Sequence, residues 1–362
     1  MSMATRPGVK TASAPVVAVD TVVLGQQMIG ALARLPFRHP LRGRSAPLSN
    51  FGETLTREVI RSFMGYVSSL PVPEFRSIEY LLDELCKVVM PPVVRSFDVS
   101  QRSIELGGVP GILYEPRRSE PEGVILYLHG GGFIGTSPTM YAYFTAYLCR
   151  ETRCAVFVAD YRLAPEFPFP AGLEDATAVL ATLAERGIPP ERLFVAGDSA
   201  GGGLAVEVVQ AVPRNPQLAR PAGLILFSPE VDMTLDEPSV TENAATDILP
   251  WNIPTSSYLH GLDPNSKWAS AVDADLTAFP PTYLSWGGDE MFRDPIRRFA
   301  ERLRTAGVST HAHEAPGMFH VFQIVMPWAE ASNQARTHVV RFARGVIDDA
   351  PPIKPDSLAG VD

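Results

Sequence analysis

The sequence predicts an α/β fold, a mostly parallel central sheet flanked by helices, with a helical cap contributed by the N-terminal residues. Three observations predict it. Short continuous apolar runs recur at 124–128, 155–159, 193–196, 224–227 and 283–286, and runs of that length are strands buried on both faces. Helical patterns separate most of them, near 141–150, 173–185, 200–210 and 295–306, which implies right-handed crossovers between parallel strands. Ahead of them the chain is helical in pattern, and strand signals begin only after Pro91 and Pro92.

Taken in order, residues 1 to about 15 are small and polar and are expected to be disordered, as untethered termini are. An apolar stretch over 16–35 follows, interrupted by Asp20, Gln26 and Gln27, then a basic run at Arg34, Arg38, Arg42 and Arg44. It reads as too broken to span a bilayer, and Asp20 breaks the continuous core that a secretory signal needs. Two readings remain for 16–44: a helix of the cap, or a peripheral membrane contact in which apolar side chains and arginines meet an anionic surface. Helical patterns at 51–70 and 78–89 complete a cap over 1–95. The second unit, 96–362, opens with strands at 95–106 and 111–114 and closes with a helix at 327–346. Its strand-poor stretch at 233–280 is the expected place for a second cap segment.

Bulk properties narrow the function. With 362 residues, 46% hydrophobic and 20% charged, the chain has material for a large core. A net charge of −9 argues against nucleic acid as partner and points to a small molecule. Three cysteines, Cys86, Cys149 and Cys154, form neither a disulfide framework nor a metal cluster, so a reducing, cytoplasmic compartment is expected. No histidine, cysteine and carboxylate cluster stands at metal-ligand spacing, and no cofactor is implied. The sequence fixes no oligomeric state, and a homodimer is compatible with it.

The chemistry is carried by two glycine motifs and a histidine. Gly197-Asp198-Ser199-Ala200-Gly201 follows the apolar run 193–196 and precedes a helical pattern. That context is the nucleophile elbow of the α/β-hydrolase fold, where a serine sits on a tight strand-to-helix turn and flanking glycines make room for it. A phosphate loop fits poorly, because no lysine follows and Asp198 would repel an anion. His129-Gly130-Gly131-Gly132 follows the run 124–128, and its glycines let backbone amides turn toward a developing oxyanion. His129 reads as a structural hydrogen-bonding residue. Chain order in this fold is serine, acid, histidine, and among the histidines after Ser199 only His320 lies in a loop between a strand and a helix. His260, His311, His313 and His338 fall in the cap stretch, on a strand pattern and in the last helix.

These motifs, with Asp160-Tyr161-Arg162-Leu163-Ala164-Pro165-Glu166 and the segment 307–322, make residues 111–346 resemble the bacterial hormone-sensitive-lipase-like esterases, also called family IV. The resemblance implies a serine carboxylesterase acting through an acyl-enzyme on Ser199, with short- to medium-chain esters as substrates. It implies an oxyanion hole from the amides of Gly131, Gly132 and Ala200, and a bracing role for Arg162 and Glu166. A substrate pocket is expected between cap and glycine loop, lined by aromatics such as Phe133. The acid departs from the family pattern. Members usually carry Asp-Pro-Leu-x-Asp, its first aspartate thirty residues before the histidine, whereas this chain reads Gly288-Asp289-Glu290-Met291-Phe292-Arg293-Asp294. Spacing puts Glu290 at that place and Asp294 on the second aspartate. Glu290 is therefore the expected acid, and Asp289 is the alternative. An acyltransferase using the same acyl-enzyme, and a non-catalytic binding protein on a hydrolase fold, are the competing functions.

Overall fold

Eight strands form one sheet in the order β1-β2-β4-β3-β5-β6-β7-β8 in the computed structural model, which describes residues 9–34, 47–250, 252, 253, 255–348, 350 and 358. The strands are β1 (Val99–Leu106), β2 (Val109–Pro116), β3 (Gly123–Leu128), β4 (Cys154–Ala159), β5 (Leu193–Asp198), β6 (Gly223–Phe227), β7 (Thr282–Gly287) and β8 (Thr310–Ala315). The hairpin β1–β2 joins β4 antiparallel, and every pairing from β4 to β8 is parallel. Every residue of β3 to β7 is buried, which is why those strands read as unbroken apolar runs and not as alternation. Helices cover both faces: α5 (Ala171–Glu185), α6 (Ser199–Ala211) and α9 (Arg293–Thr305) on one, α4 (Ala142–Thr152) and α11 (Glu330–Ile347) on the other.

Three helices precede the sheet: α1 (Ala14–Arg34), α2 (Pro47–Val67) and α3 (Val72–Ser96). Helix α3 runs through Pro91 and Pro92, where the sequence predicts the change to strands. Its last turn persists because Val94, 1% exposed, packs into the core beneath it, and tertiary burial outweighs the two missing N–H groups. Residues 1–8 lie outside the described residues. Ordered chain begins earlier than expected, since the Ala12 N–H donates to Pro73 O at 3.1 Å and Ser77 Oγ at 2.9 Å. Of the basic run, Arg38, Arg42 and Arg44 also lie outside the described residues. The stretch judged too broken to span is one uninterrupted helix, and over Ala14–Ala33 it is long and apolar enough to cross a membrane. Asp20 does not interrupt it because its carboxylate turns inward and accepts from Tyr66 Oη at 3.2 Å. Between β6 and β7 the described residues form the short helices α7 (Pro238–Glu242) and α8 (Thr255–Leu259) and a 3-10 turn at Ala271–Asp273, and the short α10 (Phe322–Val325) stands between β8 and α11. All three cysteines are free thiols.

One buried cation fastens the N-terminal helices to the sheet domain. Arg76 of α3 donates through Nε and Nη2 to the two oxygens of Glu166, at 3.1 and 2.7 Å, and through Nη2 to Ala164 O at 2.7 Å. Glu79 and the Ile134 carbonyl accept from Nη1. The Arg76 side chain is 4% exposed, so this bidentate pair is shielded from solvent. Removing one partner of such a pair leaves the other charged and dry. Arg76→Ala is expected to lower the unfolding free energy in urea by about 3 kcal/mol, with Arg76→Lys recovering only part. Unchanged stability in Arg76→Ala would show that the helices are held elsewhere.

Candidate active site

Strand β5 ends at Asp198, α6 begins at Ser199, and between them Ser199 adopts a left-handed backbone with φ 52°. A non-glycine residue seldom holds that conformation, and here its surroundings enforce it. A methyl group on Gly197 would strike the Gly201 carbonyl, and one on Gly201 would strike the carbonyls of Leu128 and His129. The two flanking glycines thus let β3 approach the turn closely. The Ala200 N–H lies in the first turn of α6, where amides have no intrahelical acceptor.

The glycine loop after β3 is tied to the same turn. Asp198 accepts from Tyr127 Oη at 2.8 Å and the Gly130 N–H at 3.0 Å through Oδ1, and from Tyr141 Oη at 2.9 Å through Oδ2. Burial pushes its carboxyl up to about 6, against the pull of those donors. The next turn closes on itself, with the Gly131 carbonyl accepting from the amides of Ile134 and Gly135 at 3.2 and 3.0 Å. Gly131 and Gly132 have φ 118° and 63°. Among the described residues no hydrogen bond uses the N–H of either one. His129 stacks on Tyr161 with ring centroids 4.6 Å apart and meets Thr136 Oγ1 through Nδ1 at 2.8 Å, a structural setting. Phe133 is 1% exposed and stacks on Tyr258 at 3.7 Å, so it sits within the wall and not on an open face.

His320 reaches the turn from the loop after β8. Its Nε2 is 2.8 Å from Ser199 Oγ, and its Nδ1 is 3.5 Å from Glu290 Oε1. The second distance exceeds a formed hydrogen bond, yet among the described residues neither atom has another partner, so each is the other's counterpart. Such bonds are often long without substrate. Glu290 is fully buried, and its Oε2 accepts from Ser228 Oγ and the Gly287 N–H, both at 2.7 Å. Asp289, half-buried one residue earlier, donates its N–H to Met318 O at 2.9 Å. Of the two acids, the structure brings Glu290 to the imidazole. Burial lowers the His320 pKa, but Glu290, with the charges of Asp247 and Asp198, outweighs burial and raises it above 6.5. Arg162 pairs with Asp175 and Glu174, away from the serine, and Asp294 pairs with Arg293. Three of the other histidines gather elsewhere: His311, His313 and His338 line a cavity of about 480 Å³ between β8 and α11.

Sequence reasoning missed three groups here. Ser228 links Glu290 to the histidine loop by also accepting the Val321 N–H at 3.1 Å. Asp247 accepts from the His320 N–H at 2.9 Å. Glu230, 2% exposed and pushed up to about 7 by burial, gives its N–H to Ser199 O at 2.9 Å. A signal existed for two of them, because Ser228 and Glu230 are polar residues at the carboxyl end of β6, where sheets of this kind bind ligands. Asp247 carries no motif.

Comparison with known proteins agrees with this geometry. The alpha/beta hydrolase fold family matches residues 125–324. The chain is 37% identical to an acetyl-hydrolase of Streptomyces hygroscopicus over 56% of its length and 69% of the relative's. It is 32% identical to an esterase of Acinetobacter venetianus, over 73% and 86%. Among solved structures, a hormone-sensitive lipase from a metagenome library superposes with a TM-score of 0.72 at 30% identity, covering 81% of this chain and 98% of that one. An esterase of the bacterial hormone-sensitive lipase family gives 0.67 at 28%, covering 93% and 100%. A serine on a strained elbow with an imidazole at hydrogen-bond distance, on this sheet and among these relatives, places the chain in the alpha/beta hydrolase fold family, among its hormone-sensitive-lipase-like carboxylic ester hydrolases.

Proposed function

We propose that ester hydrolysis runs through Ser199, His320 and Glu290, with the amides of Gly131, Gly132 and Ala200 as the oxyanion hole and short- to medium-chain esters as substrates. The observation that carries this reading is the contact from Ser199 Oγ to His320 Nε2, set opposite Glu290 at Nδ1. His320 takes the hydroxyl proton as Oγ attacks the ester carbonyl, and the imidazolium that forms is held by the Glu290 carboxylate. The carbonyl oxygen becomes an oxyanion facing the three amides. Collapse expels the alcohol, which leaves with the proton from His320, and water repeats the sequence to release the acid. A non-catalytic binding role is disfavoured because serine, imidazole and acid are all present and in reach.

The residue assignments are tested together. With a nitrophenyl butyrate substrate, Ser199→Ala is expected to lose about 10³-fold or more in kcat, and Glu290→Gln about 10²-fold or more. Asp289→Asn is expected to keep most of its activity. An inactive Asp289→Asn beside a fully active Glu290→Gln would transfer the acid role to Asp289.

The pH profile supplies a second test. The base works only as neutral imidazole, so activity rises as pH climbs through its pKa, and a raised pKa moves that rise to higher pH. The acid limb of kcat/KM is expected above pH 6.5, and residual activity of Glu290→Gln should show it shifted lower. A limb at or below 6.5 in the wild type would contradict the charged surroundings assigned to His320.

A second reading concerns helix α1. Its one charged residue before Arg34, Asp20, faces inward, while Val19, Val22 and Ile29 are each more than 60% exposed. An uncharged apolar face followed by an arginine run suits the surface of an anionic bilayer. Co-sedimentation with vesicles containing phosphatidylglycerol is expected for the wild type, and lost in Val19→Asp/Val22→Asp; no binding by the wild type would dismiss the contact.

A further inference from the structure

The segment between α7 and α8 holds the acid and base loops to one another, and its key is a carboxylate that makes no salt bridge among the described residues. Asp247 is fully buried. Its Oδ2 accepts from the Met291 N–H at 2.7 Å, on the peptide that follows Glu290. Its Oδ1 accepts from the N–H of His320 itself at 2.9 Å, and from Ile248 at 2.7 Å. One residue thus grips the backbone of both loops. The grip is reinforced on either side: Asn243 Nδ2 donates to the Glu290 carbonyl at 2.8 Å, and Ile248 packs into a cluster with Met318, Phe319 and Phe322. Helix α2 reaches the same segment, because Arg61 donates to the Asp247 carbonyl and Ile60 packs on that cluster.

From this juxtaposition we infer that Asp247 is a positioning residue for the reaction, which sets the spacing between Glu290 and His320 through their backbones and links it to the N-terminal helices. The inference rests on the proposed roles of Ser199, His320 and Glu290. A carboxylate is suited to the task because it accepts on both oxygens, whereas an amide offers one acceptor and one donor. An asparagine here would present an N–H₂ to a backbone N–H on one of the two loops. Geometry makes the spacing consequential: the contact of Nδ1 with Glu290 Oε1 is already 3.5 Å, and further separation prevents a hydrogen bond from forming there. A displacement on the order of 1 Å at a catalytic group costs about 10²-fold in rate. Asp247 also adds charge beside the imidazole: burial raises its pKa to about 6, and the His320 charge is the largest influence pulling it down.

The near-isosteric Asp247→Asn is the principal variant, with Asp247→Ala and Asn243→Ala beside it. Active molecules are counted by titrating Ser199 with a fluorophosphonate, so that a loss of folded protein is separated from a loss of rate. Asp247→Asn is expected to lower kcat per active site by about 10²-fold while KM for nitrophenyl butyrate changes by less than about threefold, and to weaken the low-field proton resonance of His320 Nδ1–H. Asn243→Ala is expected to show the same split, less severely. A kcat per active site within threefold of wild type in Asp247→Asn overturns the inference, as does a loss confined to stability. The outcomes stay separate from the catalytic assignment: if Ser199→Ala and Glu290→Gln are inactive while Asp247→Asn is not, only the positioning role fails.

Discussion

The left-handed turn at Ser199 is the constraint on which the rest of the structure depends. A strand that ends and a helix that starts within one residue leave no room for a relaxed serine, and the conformation survives only because the parallel sheet over-determines it. Gly197 and Gly201 admit the carbonyls of Leu128 and His129 from the neighbouring strand. Asp198, the residue before the serine, takes three donors, one of them from the glycine loop. Ser199 and the glycine loop proposed as its oxyanion hole are therefore one unit, and the arrangement of both follows from the same close approach of β3 to β5.

That unit sits among buried carboxyl groups. Asp198, Glu207, Glu230, Asp247 and Glu290 are all within a few per cent of full burial. Burying a carboxylate is costly, and four of the five are compensated by hydrogen-bond donors. Asp198 and Asp247 are fed by phenols and backbone amides, Glu290 by Ser228 and Gly287, and Glu207 by Tyr258 Oη at 2.8 Å. Burial raises Glu207 to about 8 and Glu230 to about 7, high enough to hold protons near neutrality. The negative charge that faces His320 thus comes chiefly from Glu290, Asp247 and Asp198, and their sum favours the imidazolium in a buried site.

What was legible in the sequence follows from what local patterns encode. Strands β3 to β7 were readable because burial on both faces makes an unbroken apolar run, and the elbow was readable because its glycines answer a steric demand within five residues. The start of α1 and the end of α3 were not, since the Ala12 amide is tied to Pro73 and Ser77 and the last turn of α3 is held by packing of Val94, contacts far apart in sequence. The proximity of Glu290 to His320 was legible from their spacing, which reflects the path through β8. Asp247 was invisible for the opposite reason. It acts on backbone amides 44 and 73 residues away, and no local pattern records which amides a loop will meet.

The same distinction explains how the N-terminal helices bear on the chemistry without supplying a reacting group. Helix α3 enters through Arg76, which holds Glu166 and the carbonyls of Ala164 and Ile134, and so grips the loop after β4 and the far side of the glycine turn. Helix α2 enters through Arg61 and Ile60, on the segment that carries Asp247. One helix therefore braces the glycine-loop side of Ser199 and the other the side of Glu290 and His320, each through a guanidinium donating to backbone carbonyls. Guanidinium groups suit this, because several fixed donors can satisfy loop carbonyls that no sheet or helix engages. A shift of the helices relative to the sheet would be felt at both sides of Ser199 at once, and would alter the geometry of the proposed triad.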